Sequence, residues 1–75
     1  EYYTIQILSV SKPLAKNARD LKGLTDYRYV KSGNAYKYTI GRYSSRSEAQ
    51  KNLPAVRKLF KGAFVVKVKD GKIEI

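Results

Sequence analysis

The chain contains no His and no Cys, and it also lacks Met and Trp. Without His it lacks the commonest general base, and without Cys it lacks a thiolate nucleophile, a disulfide framework and a cysteine zinc site. Carboxylates are few, 6 Asp and Glu against 16 Lys and Arg, and they are scattered over predicted turns, caps and termini. No pair of them is suggested as acid and base. We therefore expect no catalytic residue, no metal and no cofactor.

Long apolar runs are also missing. None approaches the roughly 20 residues that span a bilayer, so we expect no membrane contact by this domain. The 43% hydrophobic content and the 7 Tyr are too high for a disordered basic tail, so the chain should fold. At 75 residues it forms one small domain, residues 1–75. Because it starts at Glu1 rather than Met, we expect it to be excised from a longer protein.

The first part of the chain predicts a strand followed by a short helix. Residues 2–10, YYTIQILSV, alternate apolar with polar side chains and are rich in aromatic and β-branched residues, which is typical of a half-buried strand. A Ser cap and a Pro in the first turn then predict an amphipathic helix over 12–22. It ends at Gly23, and its apolar face carries Leu14, Ala18 and Leu21.

Two strands joined by a tight turn are predicted at 26–31 and 35–43, because the residues between them, SGN, tolerate positive φ. The register of this hairpin stays open. A two-residue turn places Tyr29 on the same side as Tyr38, whereas a three-residue turn points Tyr29 to the other side. We expect Tyr29 to flank the binding face.

A second helix follows the capping-box pattern of Ser45 and Glu48. Its apolar face is predicted to carry Ala49, Leu53, Val56 and Phe60. Pro54 costs about 3 kcal/mol inside a straight helix. We therefore expect a kink at Pro54, or two short helices that abut there.

The end of the chain predicts a fourth strand at 63–69, and the turn at Asp70-Gly71 lets 72–75 fold back as a short extra edge strand. The resulting order is β-α-β-β-α-β, the split βαβ arrangement of RNP-like and ferredoxin-like folds. The predicted class is α+β, with a four-stranded antiparallel sheet, two helices on one face and the other face open.

Three segments resemble the sporulation-related repeat, or SPOR, domain, a peptidoglycan-binding module of bacterial cell-envelope proteins. YYTIQI resembles the opening strand motif with its central Gln, YKYTIGRYSSRSEA resembles the repeated aromatic, basic and Gly motif that leads into a capped helix, and GAFVV resembles the last strand. Together they cover nearly the whole chain. Leu8 stands where the family usually has Gly, and Pro54 interrupts the second helix.

The resemblance implies a non-catalytic module that binds glycan strands lacking stem peptides. It implies that the module targets an attached protein, such as an N-acetylmuramoyl-L-alanine amidase or a lytic transglycosylase, to the septal cell wall in the envelope. Ligand lies on the open sheet face in this family. The expected partner is therefore a denuded glycan strand, and the domain is expected to act as a monomer.

The strand alternation and this resemblance together suggest which residues bind the glycan. They are Thr4, Gln6, Tyr29, Lys37, Thr39 and Arg42. Gln and Thr side chains suit sugar hydroxyls and N-acetyl groups, and Lys37 and Arg42 can pair with the lactyl carboxylate of a peptide-free N-acetylmuramic acid. Polar residues also occur on any solvated sheet face, so alternation by itself assigns no function.

The main alternative is an RNA-recognition-type domain that binds single-stranded RNA. That fold has the same element order, and a formal charge of +10 suits phosphate. Against it, Tyr and Ile of the first and third strands alternate inward and no ribonucleoprotein string occurs, so we expect no nucleic-acid partner. A protein-interaction module with no small ligand is a second alternative that the fold alone permits.

Overall fold

A computed structural model of the chain describes residues 1–15, 19–24 and 26–74. Its main elements, in chain order, are β1 (Tyr2–Val10), β2 (Arg28–Ser32), β3 (Ala35–Tyr43), α1 (Arg46–Arg57), β4 (Phe64–Lys69) and β5 (Lys72–Glu74). Between β1 and β2 the described residues include a 3-10 turn at Arg19–Leu21. Within the described ranges, no helix has the length and hydropathy of a membrane span.

The five strands form one antiparallel sheet in the order β2-β3-β1-β4-β5. The predicted α+β class is confirmed, and β5 is the short extra strand at the end of the chain. The predicted count of two helices is wrong, since the described residues form one α-helix, and the sheet has five strands, the four predicted main strands and the short β5. The order β2-β3-β1-β4 is consistent with a split βαβ fold.

The helix predicted over 12–22 does not form in the described residues, and residues 16–18 of that prediction lie outside them. Residues 12–15 are irregular, and only the 3-10 turn follows. Leu21 is nevertheless fully buried, and the Leu14 N–H donates to the Tyr38 hydroxyl at 2.7 Å. Tertiary contacts therefore fix both leucines without a helix, and a helix of this length is marginal on its own.

The cap predicted for α1 is confirmed, because Ser45 is the N-cap and its Oγ accepts from the Glu48 N–H at 3.3 Å. The expectation of two abutting helices is wrong, since α1 is one helix that contains Pro54. Pro54 is exposed, so water can reach the backbone carbonyl that its missing N–H leaves unpaired. α1 ends at Arg57 and buries Ala49 and Leu53.

The sheet face that packs on α1, here called the helix face, carries the hydrophobic core. The core members are Ile5, Ile7, Leu21, Tyr38, Ala49, Leu53, Phe60, Ala63 and Val65. A β-bulge in β1 shifts the register between Gln6 and Leu8, so that Ile7 and Leu8 both lie opposite Tyr38. Both side chains contact the core, and the simple alternation read from the sequence ends there.

The opposite face of the sheet is concave. β2 and β5 are its two edges, yet their Cα atoms come within 8 Å of each other. Thr4 and Val66 lie opposite one another and are both fully buried, although α1 is on the other side of the sheet. The prediction of an open face is therefore wrong at its centre. The twisted sheet curls until its own edge strands enclose that face.

Candidate functional site

A row of four side chains crosses the concave face. The strand registers pair Arg28 with Thr39, Thr39 with Gln6, and Gln6 with Phe64. Cross-strand partners share a face, so these residues of β2, β3, β1 and β4 lie side by side. With strands about 4.8 Å apart, the row spans about 14 Å. We call these four residues the polar row after its polar members Arg28, Thr39 and Gln6; the Thr39 and Gln6 side chains are both buried, 2% and 7% exposed.

Gln6 lies in the middle of the polar row and is only 7% exposed. Its Oε1 is buried and accepts no hydrogen bond from any described residue. Leaving a buried carbonyl unpaired costs about 1–3 kcal/mol. Gln6 is therefore a side chain that an incoming hydrogen-bond donor would stabilise.

A cavity of about 190 Å³ lies beside Gln6, and we call it the Gln6 cavity. Its lining residues are Gln6, Ile7, Leu8, Ser9, Gly62 and Phe64. The wall is mostly apolar, with the Gln6 amide and the exposed Ser9 as its polar side chains. The cavity therefore combines an apolar wall with the carbonyl oxygen of Gln6, which is unpaired among the described residues.

A second, smaller cavity of about 90 Å³ lies on the β3 side of Gln6, and we call it the Thr39 cavity. It is lined by Asp26, Tyr27, Arg28, Thr39, Gly41 and Arg42. The Arg42 guanidinium lies 4.6 Å from the centre of the Tyr2 ring, a cation–π contact that holds it at the cavity. The guanidinium groups of Arg28 and Arg42 and the carboxylate of Asp26 line this cavity, so its net charge is positive.

The structure gives Thr4 a different place from the one predicted. The prediction put its hydroxyl on an open face, but the side chain is fully buried and donates to the carbonyl oxygens of Ile40 at 2.9 Å and Gly41 at 2.6 Å. Those bonds join β1 to β3 where the register between them shifts. Thr4 thus holds the sheet together and has no hydroxyl facing solvent.

Lys37 and Tyr29 lie on opposite faces. Lys37 is half-buried, pairs with Ser9 and lies on the concave face two residues before Thr39. Tyr29 pairs with Tyr38 because the hairpin has a two-residue turn, which settles the register that the sequence left open. Tyr29 is 53% exposed, on the helix face, where its ring lies 5.5 Å from that of Tyr38.

The structure therefore brings Gln6, Lys37, Thr39 and Arg42 to one side of the sheet and separates Tyr29 from them. It also adds Arg28 and Phe64, which the sequence interpretation did not select, whereas the Tyr27 ring packs against Tyr38 on the helix face. Arg28 could have been found only from the hairpin register, because the two-residue turn is what places it opposite Thr39. Phe64 could have been selected only from the pairing of β4 with β1, which places it opposite Gln6.

One ion pair of the described residues lies away from the polar row. Lys67 Nζ pairs with the Glu1 carboxylate, and Lys67 is opposite Tyr3 on β1. The hydrogen bond from Lys67, followed by its charge, lowers the pKa of Glu1 below 4.5. The same bond and the Glu1 charge raise the pKa of Lys67 above 10.5. This pair fastens the start of β1 to β4.

The SPOR domain family model matches residues 1–67 of the 75-residue chain, and the chain belongs to the SPOR domain family. SPOR domains are non-catalytic modules that bind peptidoglycan, so this domain is a peptidoglycan-binding module of an envelope-associated protein and is not an enzyme. Comparison with curated proteins gives no match, and comparison with solved structures gives none.

The geometry of the concave face bears on the RNA-binding alternative. RNA-recognition sheets stack bases on aromatic rings of their two central strands. Along the polar row and its neighbouring positions, β1 and β3 instead carry Thr4, Gln6, Lys37 and Thr39. The aromatic ring that these two strands place on this face is that of Tyr2, and the Arg42 guanidinium lies against it.

Proposed function

We propose that this domain recognises glycan strands of peptidoglycan from which the stem peptides have been removed. The observation that carries the proposal is the buried Gln6 Oε1, which accepts no hydrogen bond from a described residue. An acetamido N–H of an N-acetyl sugar would supply the missing donor. The methyl group of the same acetamido would pack against Leu8 and Phe64 in the Gln6 cavity.

The Thr39 cavity supports the preference for peptide-free strands. An N-acetylmuramic acid without its stem peptide carries a free lactyl carboxylate, and Arg28 and Arg42 both line this cavity. A charge-assisted hydrogen bond of that kind contributes about 1.5–3 kcal/mol. A stem peptide would convert the carboxylate to a neutral amide and would fill the space in front of the two guanidinium groups. Lys37, half-buried on the same face, adds a third cation.

The domain would act by bringing the protein to which it is attached to a particular part of the cell wall. Peptide-free strands arise where an amidase has acted, so a domain that binds them carries an attached protein to the septal wall. An attached N-acetylmuramoyl-L-alanine amidase or lytic transglycosylase would then meet its substrate at high local concentration. One copy of the polar row is sufficient for this, so the proposal needs only a monomer.

Retention on four surfaces tests the proposal at about 0.15 M salt, where exposed charges are screened beyond about 8 Å. The surfaces are intact sacculi, amidase-treated sacculi, amidase-treated sacculi that have been chemically de-N-acetylated, and poly-U RNA. The domain should be retained best on the amidase-treated sacculi. Removing the acetyl groups should release it, because the ammonium group that remains lacks the methyl group that fills the Gln6 cavity and carries the same sign of charge as the domain.

Equal retention on all four surfaces, lost together as salt rises, would reduce the binding to nonspecific electrostatics and overturn the proposal. Equal retention on treated and de-N-acetylated sacculi would overturn the assignment of the acetamido group to Gln6.

A further inference from the structure

A third cavity lies outside the concave face, between β1 and the C-terminal end of α1. Its volume is about 410 Å³. Four cationic side chains and one carboxylate line it, namely Arg19, Lys22, Lys58, Lys61 and Asp20. We call it the basic groove. The exposed side chains of Lys58 and Lys61 lie on either side of Leu59 and Phe60, so cations surround an apolar floor.

Lys22 has a structural role in this groove. Its Nζ donates to the Leu59 carbonyl and lies 5.2 Å from the centre of the Phe60 ring. It thereby satisfies a carbonyl just beyond the C-terminus of α1, where cations are favoured. Arg19, Lys58 and Lys61 are not needed to satisfy the Leu59 carbonyl. None of them forms a salt bridge within the described residues, where the ion pair is Glu1 with Lys67.

The remaining cations and the floor point to a ligand of defined chemistry. Arg19, Lys58 and Lys61 share the groove with one acid, Asp20, so the groove concentrates positive charge. Leu59 is 47% exposed in their midst. A surface that combines unpaired cations with an exposed leucine is complementary to an anionic group attached to an apolar substituent.

The basic groove adjoins the Gln6 cavity. Ile7, Leu8 and Gly62 line both. The β-bulge makes this possible, because it turns Ile7 and Leu8 to the same side of β1 instead of opposite sides. A polymer that places an acetamido group in the Gln6 cavity can therefore continue past Gly62 into the groove.

We propose that the basic groove is a second subsite, which binds an anionic group of the wall polymer next to the sugar held at Gln6. This inference rests on the proposed function. A carboxylate of peptidoglycan and a phosphodiester of a polymer esterified to the wall share the required chemistry. Both are anionic groups of wall polymers, and retention on sacculi with and without phosphodiester polymers distinguishes them.

Amide chemical shifts recorded by NMR during titration locate the subsite directly. The probes are N-acetylmuramic acid, inorganic phosphate and the neutral sugar N-acetylglucosamine, at constant ionic strength. The two anions should produce saturable shifts at 19–22 and 58–61, which line the groove but not the Gln6 cavity, and the neutral sugar should not. The variant Lys58→Gln/Lys61→Gln should lose these shifts. The matched control Lys51→Gln/Lys72→Gln removes two charges from exposed positions outside the groove and should keep them.

Retention on sacculi identifies the source of the anion. The groove variant should bind amidase-treated sacculi about tenfold more weakly than the matched control, as expected for the loss of two charge-assisted contacts that are partly screened. If the deficit persists on sacculi stripped of phosphodiester polymers, the groove binds a carboxylate. If the deficit disappears there, the groove binds the phosphodiester. Equal weakening of groove variant and control, or shifts that never saturate, would overturn the subsite.

The subsite and the proposed function can fail separately. Gln6→Met should abolish preferential retention on denuded strands but leave the anion-induced shifts at 58–61 intact. If Gln6→Met binds like the wild type while those shifts are present and sensitive to Lys58 and Lys61, the proposal for Gln6 fails and the groove stands. If the shifts are absent while Gln6→Met loses retention, the groove fails and the function stands.

Discussion

The hydroxyl of Thr4 donates to the carbonyl oxygen of Gly41 at 2.6 Å, across the register shift that joins β1 to β3. Gly41 has a φ of +80°, so its carbonyl is aimed at Thr4 by a backbone conformation that other residues rarely adopt. The two residues together close the centre of the concave face. The strand alternation predicted that Thr4 lies on a ligand-binding surface, but its hydroxyl instead forms hydrogen bonds inside the sheet.

Thr4→Val tests this structural role. Valine keeps the shape of the side chain but removes the single hydroxyl proton that the carbonyl oxygens of Ile40 and Gly41 share. We expect the free energy of unfolding to fall by about 1–3 kcal/mol. Retention of the folded variant on amidase-treated sacculi should not change. Urea denaturation measures the first quantity, and loss of retention without loss of stability would show that the Thr4 hydroxyl reaches the ligand.

Gly41→Ala should be strongly destabilising. A Cβ at this position would lie 2.6 Å from the Tyr43 ring, and alanine would also have to adopt the positive φ. The expected loss is about 1–3 kcal/mol, visible as a lower melting temperature. Gly62→Ala is the control, since no atom lies within 4 Å of the position that its methyl group would occupy and its φ is not positive. Equal melting temperatures for the two variants would contradict the proposed geometry of the bulge.

Arg42→Gln should weaken binding to peptide-free strands. The guanidinium lines the Thr39 cavity and is held by the Tyr2 ring, so its loss removes a cation already placed for a carboxylate. We expect about a tenfold higher dissociation constant at about 0.15 M salt, with a smaller difference at higher salt. Lys51→Gln on the exposed side of α1 removes the same charge and should change the constant by much less. Equal effects would mean that only net charge matters.

The pair of Glu1 and Lys67 predicts a pH dependence of stability. The pKa of Glu1 is lowered in the folded protein, so the pair stabilises the fold above the ordinary value of 4.5 and this contribution is lost as pH falls through the lowered pKa. The pKa of Lys67 is raised, so its contribution is present below 10.5 and is lost as pH rises through the raised pKa.

Melting temperatures of the wild type and Glu1→Gln should therefore differ most between these limits and converge in acid. Because both side chains are solvent-accessible, the difference should be small and should shrink with added salt. A difference that grows as pH falls below the pKa of Glu1 would contradict the ion pair.

The features that the sequence predicted correctly are those that depend on residues close together in the chain. Ser45 and Glu48 mark the start of α1 because a cap is a local contact, and the alternation in β3 correctly put Tyr38 on the helix face and Thr39 on the other. Tyr29 could not be placed, because its face depends on whether the turn has two residues or three.

Longer-range features could not be predicted. The bulge at Ile7 follows from pairing with β3, and the enclosure of Thr4 follows from the approach of β2 to β5, elements about 40 residues apart in the chain. Leu14 and Leu21 had the spacing of a helix face, yet contacts with the core anchor them without a helix. The unpaired Gln6 carbonyl is likewise visible only once its neighbours are in place.

The affinity of Gln6→Met for amidase-treated sacculi tests the central claim most directly. Methionine keeps the length of the side chain and removes a buried carbonyl that lacks a partner among the described residues, so stability should stay the same or rise. Affinity should fall by at least about tenfold, as expected when a buried hydrogen bond to the ligand is lost. A folded Gln6→Met variant that binds the treated sacculi as tightly as the wild type would contradict the account.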